Sequence, residues 1–396
     1  MGLNVAKETS AVYRQRFTVA FDYPVHFTRG VFAAHGEDDL ACVLDRQGEE
    51  RMHKVQVYVD GGLARAWPEL PQSIQAYCDR HADRIVAAGP PLVMPGGESA
   101  KDGWEHVHAA LAAMGRRRLD RHSFVVGVGG GAMLDMLGLA ASLAHRGLRL
   151  VRIPTTTLAQ CDASVGVKNG IDQYGMKNFA GTFAPPSGVV IDFDFPRTLA
   201  QPDWVAGIAE GFKVAMIKDV DFFGYLCAHA RAAAARDETV MEHVVRRCAT
   251  LHLDHIRQAG DPFETGSSRP LDFGHWAAHQ IECMTGHRVA HGQAVAIGLA
   301  LDAHYAMQVG CIRSSDFDRL ATGLIDAGLP VWDSCLEERN ANGTPLVLAG
   351  LERFREHLGG RLTVTLPDGI GAAREVHAMD AQRIERAIKE LNPQGS

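Results

Sequence analysis

Short apolar runs, closed by polar or glycine-rich turns, alternate with stretches of helical period through the first half of the chain. Lys54–Asp60 (KVQVYVD), Ser123–Gly127 (SFVVG), Leu148–Ile153 (LRLVRI) and Gly188–Asp192 (GVVID) have the length and β-branched content of buried strands. Trp104–Met114 and Ala132–His145 lie between them and carry the spacing of helices. Strand and helix in alternation predict an α/β unit on a mainly parallel sheet. From about residue 200 the pattern changes. Helical segments dominate (Asp203–Asp219, Asp221–Ala235, Thr239–Ala259, Gly274–Thr285, Gly292–Val309, Ser315–Gly328), and the next strand-like run is Leu362–Leu366. The changeover at Phe193–Pro202 predicts an α/β domain over residues 1–195 and an all-α domain over 196–396. A functional site is expected where they meet.

Composition narrows the classes. Lys+Arg number 40 against 47 Asp+Glu, and the net charge of −7 argues against a general nucleic-acid binder, which carries a basic excess. At 46% hydrophobic residues a buried core is easily supplied. No apolar run reaches the ~18–20 residues of a membrane span. The opening MGLNVAKETSAVYRQRF has no apolar core of a signal peptide and fails the myristoylation pattern. Eight scattered cysteines without a CxxC pair read as buried thiols in a reducing cytoplasm.

Several stretches offer chemistry, each with a plainer reading beside it. In FVVGVGGGAMLDMLG (124–138) a strand runs through Gly129, Gly130 and Gly131 into a helix. Such a turn lets the backbone approach a pyrophosphate at a helix N-terminus, or is simply a tight strand-to-helix turn. Asp135, one turn in, reads as a cofactor ligand or as an acid favoured by the helix dipole. Asp60 ends a strand, like an acid that binds a ribose hydroxyl, and PGGESAK (95–101) offers Glu98 and Lys101; caps and loops use the same residues.

GHWAAHQIE (274–282) puts His275 and His279 on one helical face, HGQAVAIG (291–298) opens on His291, and GIAEGFK (207–213) holds Glu210 and Lys213. One acid with two or three imidazoles on neighbouring helices makes a divalent-metal shell with room for substrate oxygens. The pattern alone is equally that of core histidines, and Trp276 stands where the Glu of HExxH would be. PTTTLAQCDASVGVKNGIDQYGMKNFAGTF (154–183) is a long polar loop carrying Asp162, Lys168, Lys177 and Asn178. It suits a phosphate monoester, with a solvated surface loop as the alternative.

PGGESAK, GVGGGAMLD, PTTTLAQCDASVGVKNG, GMKNFAGTF, GIAEGFK, DPFE, LDFGHWAAHQIE and HGQAVAIG stand in this order from about Lys54 to Ile370. In that combination the chain resembles the 3-dehydroquinate synthase family and its wider group, the sugar phosphate cyclases. The resemblance implies a Rossmann-like NAD-binding domain, a helical metal- and substrate-binding domain, an active site between them and a homodimer. It implies NAD contacts from Asp60, Glu98, Lys101, Gly129, Gly130, Gly131, Asp135, Thr155 and Thr156, and a Zn2+ or Co2+ site of Glu210, His275 and His291. Asp162, Lys168, Lys177, Asn178, Lys213 and His279 would line the substrate pocket, with Lys168, Asn178 and His279 on the phosphate. The implied chemistry is oxidation of a sugar hydroxyl by NAD, loss of phosphate, return of the hydride, and an intramolecular aldol closure.

Departures from the family pattern bear on the substrate. A Lys expected seven residues before the DERE-type motif is Asp254 here, and an Arg expected four residues before the Asn of an LNxGH motif is Ser268. Asp272 replaces the Asn of that second motif. The missing Lys and Arg would hold a carboxylate. A charge reversal at ~4 Å is worth about 4 kcal/mol per unit pair at an effective dielectric of 20. The inferred substrate is therefore a ketose phosphate without a carboxylate, such as sedoheptulose 7-phosphate. Arg269, one residue from the lost Arg, either reaches the pocket or pairs with Asp254, and His357 is the candidate for the family's C-terminal lysine. Three alternatives stand beside this reading: a 3-dehydroquinate synthase acting on 3-deoxy-arabino-heptulosonate 7-phosphate, a metal-dependent alcohol or glycerol dehydrogenase, and a non-catalytic homologue.

Overall fold

The computed structural model describes residues 12–393 except 37, 47, 259–260, 264–269 and 358. The first half contains, in chain order, β1 (Val25–Thr28), α1 (Asp39–Asp45), β2 (His53–Asp60), α2 (Gly61–Ala66), α3 (Leu70–Arg80), β3 (Ile85–Ala87), β4 (Leu92–Met94) and α4 (Glu105–Arg116). It continues with β5 (Phe124–Gly129), α5 (Gly131–Leu143), β6 (Arg149–Pro154), β7 (Lys168–Gln173), β8 (Met176–Phe183) and β9 (Gly188–Asp192). The sheet order is β1-β9-β6-β5-β2-β3, with β4 also pairing β2, and every pairing in it is parallel. Strands buried on both faces need helices on both sides, which is why β5 and β9 are buried throughout. Leu40, Leu44, Ile74 and Tyr77 of α1 and α3 cover one face. Val107, Leu134 and Leu137 of α4 and α5 cover the other.

The second half is α6 (Gln201–Lys218), α7 (Val220–Ala234), α8 (Glu238–Gln258), α9 (His275–Met284), α10 (His291–Gln308), α11 (Ser314–Asp326), α12 (Ala349–His357), β10 (Val364–Pro367), β11 (Ala373–Val376) and α13 (Ala381–Leu391). It is helical but not all-α, because β10 and β11 form an antiparallel hairpin. Helices α6 and α10 are buried almost all round, as central core helices are. Two glycines lock α9 to α10. Gly274 has φ +80 at the start of α9, and a Cβ on Gly298 would lie 2.1 Å from the Gly274 carbonyl oxygen.

The stretch expected as a polar loop after β6 differs most. A π-helical turn over Ala159–Ala163 is followed by the β7–β8 hairpin. Glycine, lysine and asparagine interrupt its alternation, and β8 lies largely exposed, so it lacks the apolar signal of a buried strand. Arg152 of β6 orders the approach to it. This buried guanidinium donates to the carbonyls of Ala163, Ser164, Gly166 and Lys168 and to Asn169 Oδ1. Of the eight cysteines four are buried, while Cys42 and Cys283 are exposed, so not all are the buried thiols expected. Among the described residues no helix is long and apolar enough to cross a membrane.

Candidate active site

Glu210 sits within α6, His275 opens α9 and His291 opens α10. One ligand atom from each lies within 4.8 Å of the others. His275 Nε2 and His291 Nε2 face Glu210 Oε1 at 3.9 and 3.7 Å. Neither carboxylate oxygen of Glu210 has a hydrogen-bond partner among the described residues, although both are buried. The Lys213 ammonium approaches Oε2 to 2.5 Å as an ion pair without hydrogen-bond angles. Burial pushes the Glu210 carboxyl up, but Lys213, His291 and His275 together outweigh it and hold it at about 2. A buried, ionised carboxylate with unsatisfied lone pairs, facing two imidazole nitrogens, fits a divalent cation.

The outer nitrogens are tied down. His275 Nδ1 lies 3.1 Å from the Phe273 carbonyl and donates to it, leaving Nε2 as the acceptor toward the site. His291 Nδ1 lies 2.9 Å from Glu282 Oε2, a carboxylate–histidine pair of the kind that orients metal ligands. Burial lowers the His291 pKa, but Glu282 and Glu210 carry it well above the usual histidine value. A cation entering the site displaces that proton. Glu282 closes the stretch GHWAAHQIE, three residues past His279 and seven past His275, on their helical face. That spacing was the signal for it.

Around this centre the expected pocket residues form two clusters. Lys213 lies 3.9 Å from Asp162 Oδ2, and Asp162 Oδ1 accepts from His252 Nδ1 at 2.6 Å. Burial raises the Asp162 carboxyl, yet Lys213 and His252 hold it well below its normal value. Lys177 is clasped by Glu98 (2.9 Å), Asp172 (3.3 Å) and Glu282 (3.5 Å), which outweigh burial and raise its pKa. Lys101, also buried, bonds Asp135 Oδ2 at 2.9 Å and the Asn178 side-chain oxygen. Residues expected on NAD (Glu98, Lys101, Asp135) are thus joined to residues expected on substrate (Lys177, Asn178). Lys168 stands exposed at the start of β7. Burial, then neighbouring His275 and His291, lower the His279 pKa to about 3, so its imidazole is neutral.

The glycine turn lies at the carboxyl end of the sheet, where open α/β folds bind ligands. Gly130 precedes α5 without a side-chain cap, so the helix's first N–H groups lack that partner. A Cβ on Gly129 would lie 2.9 Å from Asp60 Cβ, and one on Gly131 3.3 Å from Ala163 Cβ. This close approach, rather than positive φ, selects glycine. The Thr155 N–H donates to the Gly129 carbonyl, and Thr156 Oγ1 accepts from Ala159 N. Asp60 serves the fold as well. Its Oδ1 accepts from Gly62 N and Leu63 N and caps α2, while Gly96 packs against the carboxylate.

The selectivity positions fare differently. Asp272 is next to the site: its carbonyl accepts from His275 N, and the charges of Lys168, His275 and Lys213 outweigh burial and lower its pKa. Among the described residues Asp254 finds its partner on its own helix. Its carboxylate pairs with Arg257 at 2.7 Å and is 40% exposed. It points well over ~100° around α8 from His252, the residue that does reach Asp162. Ser268, Arg269 and the His357 side chain lie outside the described residues.

Family models described as 3-dehydroquinate synthase N-terminal and C-terminal match residues 91–206 and 207–344, together carrying every residue of the candidate metal centre. The chain belongs to the 3-dehydroquinate synthase family. A relative named 3-dehydroquinate synthase from Laribacter hongkongensis is 32% identical over 384 residues, covering 92% of this chain and 95% of the relative. Among solved structures, the family fold is shared with ValA, a 2-epi-5-epi-valiolone synthase from Streptomyces hygroscopicus subsp. jinggangensis with NAD+ and Zn2+ bound. That match has a TM-score of 0.84 and 27% identity over 96% of this chain and 99% of the other. A 2-deoxy-scyllo-inosose synthase complexed with carbaglucose-6-phosphate, NAD+ and Co2+ shares the fold at a TM-score of 0.72 and 19% identity, covering 92% and 96%.

Proposed function

We propose that this family member is a sugar phosphate cyclase that uses NAD and a divalent metal, zinc or cobalt, on a ketose phosphate lacking a carboxylate, such as sedoheptulose 7-phosphate. The observation that carries the reading is the convergence of Glu210, His275 and His291 with unsatisfied carboxylate oxygens. What the two bound groups supply is hydride exchange and Lewis-acid polarisation of the oxidised oxygen.

The chain's own residues supply the rest. Glu210, His275 and His291 hold the cation, and Gly129–Gly131 with the open end of α5 receive the pyrophosphate of NAD. Asp162, ionised beside Lys213, accepts a hydrogen bond from a substrate hydroxyl. Lys168, with Asn178 and neutral His279, serves as the phosphate anchor. Asp272 and Asp162 put two ionised carboxylates on this wall, which supports a neutral-ended sugar. The likeness to a 2-epi-5-epi-valiolone synthase supports the same choice. The 32% identity to chains named 3-dehydroquinate synthase favours the acidic heptulosonate phosphate as the second reading.

The reading includes a homodimer working in the cytoplasm. Support for self-association comes from apolar residues exposed in a single chain, Tyr13, Phe17, Phe179 and Phe183 among them. Phosphate release with NAD and a divalent metal decides the substrate. Release from the neutral-ended sugar, a carbocyclic product by NMR and flat absorbance at 340 nm are expected. Release confined to the acidic sugar establishes the second reading, and accumulating NADH would point to a dehydrogenase.

A further inference from the structure

Asp162 reaches beyond the residues of the proposed pocket to α8. Its Oδ1 accepts from His252 Nδ1 at 2.6 Å, and the His252 side chain is 19% exposed. The other oxygen faces Lys213 at 3.9 Å, too far for a hydrogen bond, so Oδ2 keeps lone pairs for a ligand hydroxyl. Lys213 in turn contacts Glu210, so a chain of polar contacts runs from α8 through Asp162 to the candidate metal centre. His255 follows His252 by three residues on the same helical face. Burial, then Lys218, His252 and Lys168, lower its pKa to about 4, and Asp272 is the counter-charge near it. The wall contributed by α8 is therefore made of imidazoles against two carboxylates, Asp162 and Asp272, and presents no fixed cation from these two positions. Asp254, between the histidines in sequence, is turned aside onto Arg257.

We propose that His252 is a positioning residue that sets substrate specificity. Its Nδ1–H fixes Asp162 to read a hydroxyl, so this wall accepts the polyol end of a ketose phosphate and rejects a carboxylate there. A carboxylate in that place would face Asp162 and Asp272 with only neutral or committed partners, whereas a hydroxyl donates to Asp162. The inference rests on the cyclase reading.

The test uses full-length protein loaded with NAD and a divalent metal, assayed for phosphate release and by calorimetry with a neutral-ended and a carboxylate-bearing heptulose phosphate. His252→Ala is expected to lower kcat/KM on the neutral-ended sugar about 10–100-fold, with NAD affinity and metal content unchanged. His252→Asn, whose amide N–H can replace Nδ1–H, should recover to within about fivefold of wild type. His252→Lys should shift the preference ratio about tenfold or more toward the carboxylate-bearing sugar. An alanine variant as efficient as wild type, an asparagine variant no better than alanine, or an unchanged ratio in the lysine variant overturns the proposal. If the alanine variant does not fold, the asparagine and lysine variants decide it alone. Wild-type protein that processes neither sugar overturns the cyclase reading, and this inference with it.

Discussion

Glu210 is a carboxylate inside a helix that is otherwise apolar nearly all round, and a buried charge of that kind needs a counter-charge. Lys213 supplies one, and the two imidazoles leave the place for a second. Glu282 and Glu210 hold His291 protonated when no cation competes. Metal uptake must release that proton, so affinity should weaken about tenfold per pH unit as pH falls below the raised His291 pKa. A competition titration between pH 6 and 8 checks this, and a flat affinity would contradict it. Asp302 behaves in the opposite sense. Burial raises its carboxyl to about 7, against the hydrogen bonds from Trp276 Nε1 and Gly274 N. The folded state then holds a proton that the unfolded chain has lost, so stability from this group is present below about pH 4 and is lost as pH rises toward about 7. Asp302→Asn should gain on wild type by up to about 4 kcal/mol between pH 4 and pH 8, read from urea midpoints. Spacing alone left Glu210, His275 and His291 readable as core residues, and it was the family resemblance carried by GIAEGFK, GHWAAHQIE and HGQAVAIG that singled them out. Glu282 shared their motif and face but offered no chemistry until His291 stood beside it. His252 had no motif at all, since its partner lies 90 residues away in sequence.

At the scale of elements, apolar runs foretold β2, β5, β6 and β9 and the helices α4 to α11 to within a few residues. Strands buried on both faces and long helices carry strong periodic signals. The β7–β8 hairpin was invisible because glycine, lysine and asparagine break its alternation and β8 is largely exposed, and its order comes from elsewhere in the chain. Arg152 is that source. Its charge is satisfied by four carbonyls and Asn169, which fixes the backbone between Asp162 and Lys168. Arg152→Leu leaves those buried carbonyls unpaired and should cost about 3 kcal/mol or more. It should also raise KM for the sugar phosphate more than it changes NAD affinity. Denaturation and steady-state kinetics read both effects; a variant with unaltered midpoint and KM would show that the segment orders itself.

Across the whole molecule, the parallel sheet ends in a glycine turn and the helical half presents buried acids and imidazoles to the same junction. Thr157, just past β6, donates to carbonyls at the start of α6, and Gly207 of α6 packs directly on it. The π-helical turn bearing Asp162 sits between Gly131 and α8. In the proposed reading the two halves share one site built from residues scattered between Asp60 and His291. The deciding measurement is anomalous diffraction at the zinc edge from crystals grown with zinc and NAD. One peak per chain is predicted, at about 2.0–2.2 Å from a Glu210 carboxylate oxygen and from Nε2 of both His275 and His291. A zinc bound elsewhere, or held by only one of these three side chains, would contradict the account.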